Sequence, residues 1–215
     1  MDDIPFVFCQ SAIDLLEVRQ VFELRNLTSC YWSSFEELKN YELYLRSNTD
    51  TGNVKLEYIF HNYDSFRPET TLRSYSLDEL RSCTRRSVRI HEIFVHSHST
   101  VLHFGYEPDW IEFTEKDAFK ALLTFVVPLM DHPYGNLCCH YLDDLLSDFT
   151  RRFLKLFLSS KCVFERIEIF HCGEESEEFL AFHMDSGYLK SVVLFGTGWS
   201  EEWRIKVTAF NMMCL

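Results

Sequence analysis

The spacing of hydrophobic residues changes twice along the chain, and these changes divide it into three regions. Apolar positions recur at helical spacing from 5 to about 40, and Pro5 stands where a first helical turn accepts proline. Apolar and polar positions alternate from 41 to 113, as in half-buried strands, and helical spacing returns from Thr114. The pattern predicts an α+β fold with N-terminal helices (1–40), an antiparallel sheet (41–113) and a helix-rich region (114–215), packed as one compact domain.

The middle region contains two stretches with the pattern of β-hairpins. The stretch YELYLRSNTDTGNVKLEYIFHNY alternates on both sides of NTDTGN, whose Asn, Asp and Gly residues favour a turn. The stretch SVRIHEIFVHSHSTVLHFGYE alternates again and predicts a second hairpin, which DWIEFT extends. With a short helical turn at 77–83 between them, the two hairpins predict an antiparallel β-meander.

Two helices are predicted at the start of the third region. In TEKDAFKALLTFVVPLMD, Thr114 is the expected N-cap because an acidic residue, Asp117, follows three positions later. Pro128 is expected to end or kink this helix, since proline cannot donate the next backbone hydrogen bond. The stretch YLDDLLSDFTRRFLKLFLSS has the most regular amphipathic spacing in the chain and predicts a second helix.

The stretch IEIFHCGEESEEFLAFHM (167–184) raises the question of a catalytic or metal site, but its pattern predicts a strand, a turn at Gly173 and a helix. The glutamates fall in the first helical turn, where they complement the helix dipole, and Gly187 fits a left-handed C-cap. A further strand, YLKSVVLFG, centres on Val193, about 26 residues after Ile167, which is a leucine-rich-repeat spacing. The region therefore predicts leucine-rich-repeat-like βα units with a parallel strand pair and a right-handed crossover, followed by a helix capped by Ser200.

Composition narrows the classes of partner. The formal net charge is −12 and the pI is near 5.2, so the surface repels a nucleic-acid backbone. The sequence has no apolar run long enough to span a membrane, and its acidic start lacks the features of a signal peptide. We therefore expect an intracellular protein, cytoplasmic or nuclear, whose eight cysteines are reduced thiols, with neither nucleic acid nor membrane as a partner.

Candidate metal and nucleophile chemistry rests on short histidine and cysteine clusters. Cys138, Cys139 and His140 are consecutive, so in a strand they alternate between faces and do not converge on one ion. A ligand trio of His96, His98 and His103 on the second hairpin, and a catalytic pair of His171 and Cys172, are the remaining possibilities. Exposed hairpin histidines and neighbouring side chains that splay apart are the commoner cases. The sequence therefore predicts no catalytic residue, no metal site and no cofactor.

Several stretches resemble a large, nematode-expanded family of F-box-like proteins. The opening MDDIPFVFCQSAIDLL is similar to the start of that family, and LTSCYWSSF resembles the later part of an F-box. The stretch LLTFVVPLMDHPYGNL resembles the family's helix and following loop. The stretch FERIEIFHCGEESEEFLAFHMDSGYLKSVVLFGTGW resembles its C-terminal strand–helix–strand.

The resemblance implies a non-enzymatic protein-interaction module that acts as a substrate adaptor of a Skp–cullin ubiquitin ligase. Its partners would be a Skp-type adaptor protein and a protein substrate. The positions that the resemblance assigns to adaptor binding are Pro5, Phe6, Phe8, Ile13, Leu16 and Trp32. Two alternatives remain. One is a binding scaffold without a ligase, whose N-terminal residues only pack onto the sheet. The other is a metal-dependent hydrolase that uses either the histidine trio or the pair of His171 and Cys172.

Overall fold

The computed structural model describes residues 39–48, 55–63, 74–83, 88–97, 109–130, 135–140 and 144–214. The strands are β1 (Lys39–Asn48), β2 (Lys55–Tyr63), β3 (Ser74–Tyr75), β4 (Val88–Ser97), β5 (Ile111–Phe113), β6 (Asn136–His140), β7 (Arg166–Phe170) and β8 (Ser191–Phe195). The helices are α1 (Leu77–Ser82), α2 (Glu115–Ala121), α3 (Asp144–Ser160), α4 (Glu174–Asp185) and α5 (Glu201–Met213). The N-terminal helices predicted from 5 onwards lie outside the described residues.

The fold is a mixed α/β arrangement built on one sheet of eight strands. The strand order is β3-β2-β1-β4-β6-β7-β8, and β5 pairs with the same strand as β3, which is β2. The predicted first hairpin is confirmed, since β1 and β2 are antiparallel neighbours with Leu43 opposite Phe60. Strands from both the middle and the C-terminal regions therefore share one layer.

The direction of β4 differs from the predicted meander. It pairs with β1 in parallel, with Leu43 opposite Ile93. The reason is the connection from β2: the chain first forms β3, antiparallel to β2, and α1 then precedes the entry into β4. The predicted second half of the β4 hairpin lies outside the described residues, and Ile111–Phe113 pairs with β2 instead of extending that hairpin.

Apart from β5, each strand after β4 is added in parallel at the open edge of the sheet. β6 pairs with β4, β7 with β6 and β8 with β7. The predicted parallel pair is confirmed, with Ile167 opposite Val192. Helices α3, α4 and α5 follow β6, β7 and β8 in turn, so this half of the fold is a succession of strand–helix units.

The core lies between the sheet and the helices. A row of buried phenylalanines runs through it, with the rings of Phe153 and Phe157 4.4 Å apart and those of Phe157 and Phe164 5.2 Å apart, both edge-to-face. Such contacts add to the free energy gained by burying apolar area. In the ranges described, no helix combines the length and apolar character needed to cross a bilayer.

Local signals in the sequence set the ends of these helices. Thr114 Oγ1 accepts from the Asp117 N–H, and Ser200 Oγ accepts from the Trp203 N–H, so both predicted N-caps are confirmed. Gly187 has φ +77° just beyond α4, as the predicted left-handed cap requires. Beyond α2 the helix passes through a π-helical turn (Leu122–Val126) and ends one residue after Pro128, in agreement with the expected disruption.

Candidate functional site on the polar face of the sheet

The face of the sheet opposite the core carries polar residues. In β1, Tyr41 and Leu43 belong to the core, so the alternate residues Glu42 and Tyr44 project to the other side. This surface, here called the polar face, is formed by Glu42, Tyr44, Glu92, Cys138, His140 and Glu168. Glu42 and Glu168 are only 8% and 9% exposed, so the face holds carboxylates that are largely withdrawn from water.

An irregularity in β4 places Glu92 on the polar face. The pairing of β1 with β4 passes from Tyr41–Ile90 to Glu42–Glu92, so the register of paired Cα atoms skips His91. Ile90 and Ile93 are both fully buried in the core, which a regular two-residue alternation does not allow. The extra residue resets the alternation, as β-bulges do, and turns the Glu92 carboxylate to the side where Glu42 lies.

Three potential metal-ligand atoms meet at the centre of the polar face. Cys138 and His140 are two residues apart on β6 and therefore share a face, and Glu168 is the residue opposite Cys138 on β7. His140 Nε2 lies 2.7 Å from Glu168 Oε2. One ligand atom from each of the three residues lies within 4.8 Å of the other two. A thiol, an imidazole and a carboxylate thus converge on one point.

Neighbouring side chains hold this centre in place. The Cys138 thiol donates to Glu92 Oε1 at 3.2 Å, and the Arg166 guanidinium pairs with Glu168 Oε1. The Phe195 ring packs edge-on against the His140 imidazole, with 4.5 Å between their centroids. Each of the three converging residues therefore has a contact that restricts its rotamer.

The electrostatics of the polar face disfavour a reactive thiolate. Burial raises the pKa of the Cys138 thiol, and the nearby Glu92 and Glu168 carboxylates raise it further. Burial also raises the pKa of Glu92, partly offset by the hydrogen bond from Cys138. The Tyr44 hydroxyl donates to Glu42 Oε2 at 2.8 Å. Burial, together with the Glu42 carboxylate, raises the pKa of Tyr44. Activated cysteine nucleophiles have lowered pKa values, so the thiol of Cys138 is not activated for nucleophilic attack.

The structure separates His171 and Cys172, which the sequence offered as a possible catalytic pair but did not favour. His171 Nε2 lies 3.3 Å from Glu177 Oε1, and its ring packs against Trp199 at 4.9 Å. Cys172 belongs to the core, and burial raises the pKa of its thiol to about 11. The two adjacent side chains therefore lie in different surroundings, His171 against Glu177 and Trp199 and Cys172 in the core. The glutamates that follow form the first turn of α4, as predicted.

Most of the other predicted site residues lie outside the described ranges. His96 is buried, with its ring centroid 6.0 Å from that of Trp110. The other two members of the possible histidine trio and all the adaptor-binding candidates lie outside, namely His98, His103, Pro5, Phe6, Phe8, Ile13, Leu16 and Trp32.

The cluster of Cys138, His140 and Glu168 was not predicted from the sequence. The alternation of side chains along a strand predicts that Cys138, Cys139 and His140 do not all meet, and this is confirmed, since Cys139 is fully buried on the core side. The available signal was the two-residue spacing of Cys138 and His140 in NLCCH. The third member comes from a strand whose pairing and register the pattern alone does not give.

A cleft lies on the core side of the sheet, between α1, α2 and the β1–β2 hairpin. This cleft has a volume of about 260 Å³. Its floor is apolar, with Leu45 and Phe60, and its rim carries Arg81, Asp117 and Lys120. It is smaller than most ligand pockets, which begin at roughly 300 Å³.

Comparison with known proteins adds no relative: no family model, no curated protein and no solved structure matches this chain.

Proposed function

We propose that this chain is a protein-interaction module. The observation that carries the proposal is the run of parallel strand–helix units from β6 to α5, whose last helix exposes large apolar side chains among its charged ones. Trp203, Val207 and Phe210 of α5 pack on the core, whereas Ile205 and Met213 are 63% and 79% exposed. Large exposed side chains of this kind, methionine among them, are typical of adaptable recognition surfaces.

The partner surface that fits this end of the molecule is apolar at its centre and basic around it. Tyr188, at 52% exposed, and Met212, at 73%, add to the apolar side chains of the same C-terminal unit. The net charge of −12 favours a basic partner, because opposite charge speeds association and excludes acidic competitors. We assign this surface to the recognition of a protein substrate.

The resemblance described above supports a more specific role. In this role the segment 1–40 is an F-box-like element that docks a Skp-type adaptor, and the leucine-rich-repeat-like βα units present the substrate to a ubiquitin ligase. The spacing of β7 and β8, whose paired residues Ile167 and Val192 are 25 positions apart, is within the leucine-rich-repeat range of roughly 20–29. The module is proposed to be non-enzymatic, as the resemblance implies. In support, burial raises the pKa of the Cys138 thiol on the polar face and of the Cys172 thiol just after β7, whereas activated cysteine nucleophiles have lowered pKa values.

The test is co-elution of the untagged protein with a recombinant Skp-type adaptor in size-exclusion chromatography. A stable complex is expected, and the double variant Phe6→Ala/Phe8→Ala is expected to lose it while keeping the circular dichroism and unfolding midpoint of the parent. The matched control is Met212→Ala/Met213→Ala, which alters only exposed side chains of α5 and is expected to keep the adaptor.

Separate elution of a folded parent and the adaptor would overturn the ligase role. The broader alternative, a binding scaffold without a ligase, would then remain, and the same Met212→Ala/Met213→Ala variant would test whether partners use α5. Loss of folding in the phenylalanine variant would show instead that these residues pack onto the sheet.

A further inference from the structure

The centre of the polar face has the donor set of a transition-metal site. Thiolate and imidazole are the ligands that zinc and its neighbours prefer, whereas magnesium and calcium take oxygen donors. Cys138 offers sulfur, His140 offers Nε2 and Glu168 offers an oxygen, all within 4.8 Å of one another. The set therefore selects for a zinc-like ion over the alkaline-earth cations.

The distances are close to those that such an ion requires. A tetrahedral zinc ion with bonds of about 2.0–2.1 Å to nitrogen and oxygen holds those two atoms roughly 3.3 Å apart. His140 Nε2 and Glu168 Oε2 are now 2.7 Å apart in a hydrogen bond, so they need only separate by a few tenths of an ångström to admit the ion. Because both side chains already point at this spot, ligation does not require a new rotamer.

The charge around the site also suits a divalent cation. Glu92 Oε1 lies 3.2 Å from Cys138 Sγ, and Glu42 lies on the same face. These carboxylates and Glu168 are negatively charged. Among the residues that the structure describes, the cation in contact with the cluster is Arg166, which pairs with Glu168 Oε1, the oxygen that does not bind His140. A bound divalent ion would offset the excess negative charge in a place where burial makes it expensive.

The position of the three residues favours a stable site. Cys138 is 3% exposed and lies deep in the face, whereas the His140 side chain is 26% exposed and leaves a route from solvent. All three sit on adjacent central strands, whose register fixes their relative positions. Sites built on strands hold their ligands more rigidly than sites built on loops.

We propose that Cys138, His140 and Glu168 form a binding site for a zinc-class divalent metal ion, with three protein ligands and one further position open. On binding, the metal–sulfur bond replaces the S–H bond of Cys138, and the released proton passes to solvent. The proton between His140 Nε2 and Glu168 Oε2 passes to the ring Nδ1 or to solvent, and the hydrogen bond between these two atoms is exchanged for two metal bonds. This site is separate from the two histidine clusters suggested by the sequence, and it does not depend on the proposed interaction role.

The test is titration of the metal-free, untagged protein with Co²⁺, whose thiolate complexes absorb in the near ultraviolet and whose tetrahedral complexes absorb visible light. One ion per chain is expected, with a thiolate charge-transfer band that an equivalent of Zn²⁺ removes. Zn²⁺ alone is expected to raise the unfolding temperature, because an ion that binds only the folded state stabilises it.

Three variants locate the site. Cys138→Ser is expected to abolish the charge-transfer band, and His140→Gln and Glu168→Gln are expected to weaken Co²⁺ binding by at least the ~10–100-fold that changes around metal sites produce. The matched control is Cys214→Ser, which removes an exposed thiol at the end of α5 and is expected to leave the titration unchanged. His140 lies at the partly exposed end of β6, so the His140→Gln variant is expected to fold. It therefore tests the site even if Cys138→Ser does not fold.

Two results would overturn the proposal. One is the absence of a thiolate band and of any Zn²⁺-induced shift in unfolding temperature in the folded parent. The other is a titration that both Cys138→Ser and His140→Gln leave intact, which would place the ion on other ligands.

Discussion

The side-chain amide of Asn211 makes the two hydrogen bonds to Val192 that the backbone of a neighbouring strand would make. The Val192 N–H donates to Asn211 Oδ1 at 3.0 Å, and Asn211 Nδ2 donates to the Val192 carbonyl oxygen at 2.8 Å. Val192 lies on β8, at the end of the strand order, and Asn211 lies on α5. The side-chain amide thus occupies backbone groups that would otherwise stay open at the edge of the sheet, where unpaired groups invite association.

Removing this amide is expected to destabilise the C-terminal unit. Asn211→Ala leaves the N–H and C=O of Val192 without their partners, and such a loss costs roughly 1–3 kcal/mol per buried group. Urea unfolding measures the change in the free energy of unfolding. Thr208→Ala, an exposed change on the same helix, is the control and should stay within about 0.5 kcal/mol. Equal effects of the two variants would show that the amide contributes little.

Alanine variants at two glycines allow the cost of backbone strain to be measured apart from the cost of a steric clash. Gly187 and Gly196 both have positive φ, at 77° and 78°, so alanine is strained at either position by about 1–2 kcal/mol. A Cβ at Gly187 meets nothing within 4 Å, whereas a Cβ at Gly196 would lie 2.6 Å from the Phe170 ring. Gly196→Ala should therefore destabilise the protein by roughly 1–3 kcal/mol more than Gly187→Ala.

Thermal and urea unfolding of both variants check this difference. Phe170→Leu in the Gly196→Ala background is expected to recover part of the loss, because it removes the ring that the new methyl group meets. Identical losses for the two glycines would mean that the Phe170 ring moves aside freely.

His183 is expected to make stability fall in mild acid. Burial lowers the pKa of His183, outweighing its contacts with the Phe179 and Cys162 carbonyl oxygens at 2.7 and 3.2 Å. The unfolded chain therefore binds the proton first, near pH 6.5, and the free energy of unfolding declines as the pH falls below that value, by up to about 1.4 kcal/mol per unit. The decline ends below the lowered pKa of the folded state.

The measurement is the free energy of unfolding between pH 7 and pH 5 for the parent and for His183→Gln, which retains a donor but does not titrate. Other titrating groups act equally in both proteins, so the difference in slope reports His183. Parallel curves for the two proteins would contradict the prediction.

The phenylalanine row is expected to carry a large share of the core's stability. Phe157 is fully buried between Phe153 and Phe164, so Phe157→Ala should lower the free energy of unfolding by about 3–5 kcal/mol. Ser159→Ala, an exposed position two residues further along α3, should change it by less than about 0.5 kcal/mol. A loss below 1 kcal/mol at Phe157 would show that the neighbouring rings collapse into the space.

Local signals predicted the elements of this fold well, because each depends on residues close in sequence. The caps at Thr114 and Ser200 and the glycine beyond α4 follow from side chains within a few positions of the helix end. The alternation in the first hairpin likewise follows from one buried face. These features needed no knowledge of the rest of the chain.

The direction of β4 and the cluster on the polar face depended on distant pairing and were not predicted. Alternation gives the same pattern for parallel and antiparallel strands, so it does not reveal that β4 runs with β1. Glu168 meets Cys138 only through the register of β6 against β7, which no local pattern in RIEIF or NLCCH encodes. The bulge at His91 is visible in sequence only as an interruption of the alternation between Ile90 and Ile93.

The order of the parallel strands also bears on synthesis at the ribosome. Since β6 joins β4, β7 joins β6 and β8 joins β7, every strand in this half pairs with one that has already emerged. No strand from β6 onwards has to wait for a later one to supply its inner partner. The C-terminal half can therefore assemble vectorially, unit by unit, and Asn211 covers the open edge of β8 once α5 has emerged.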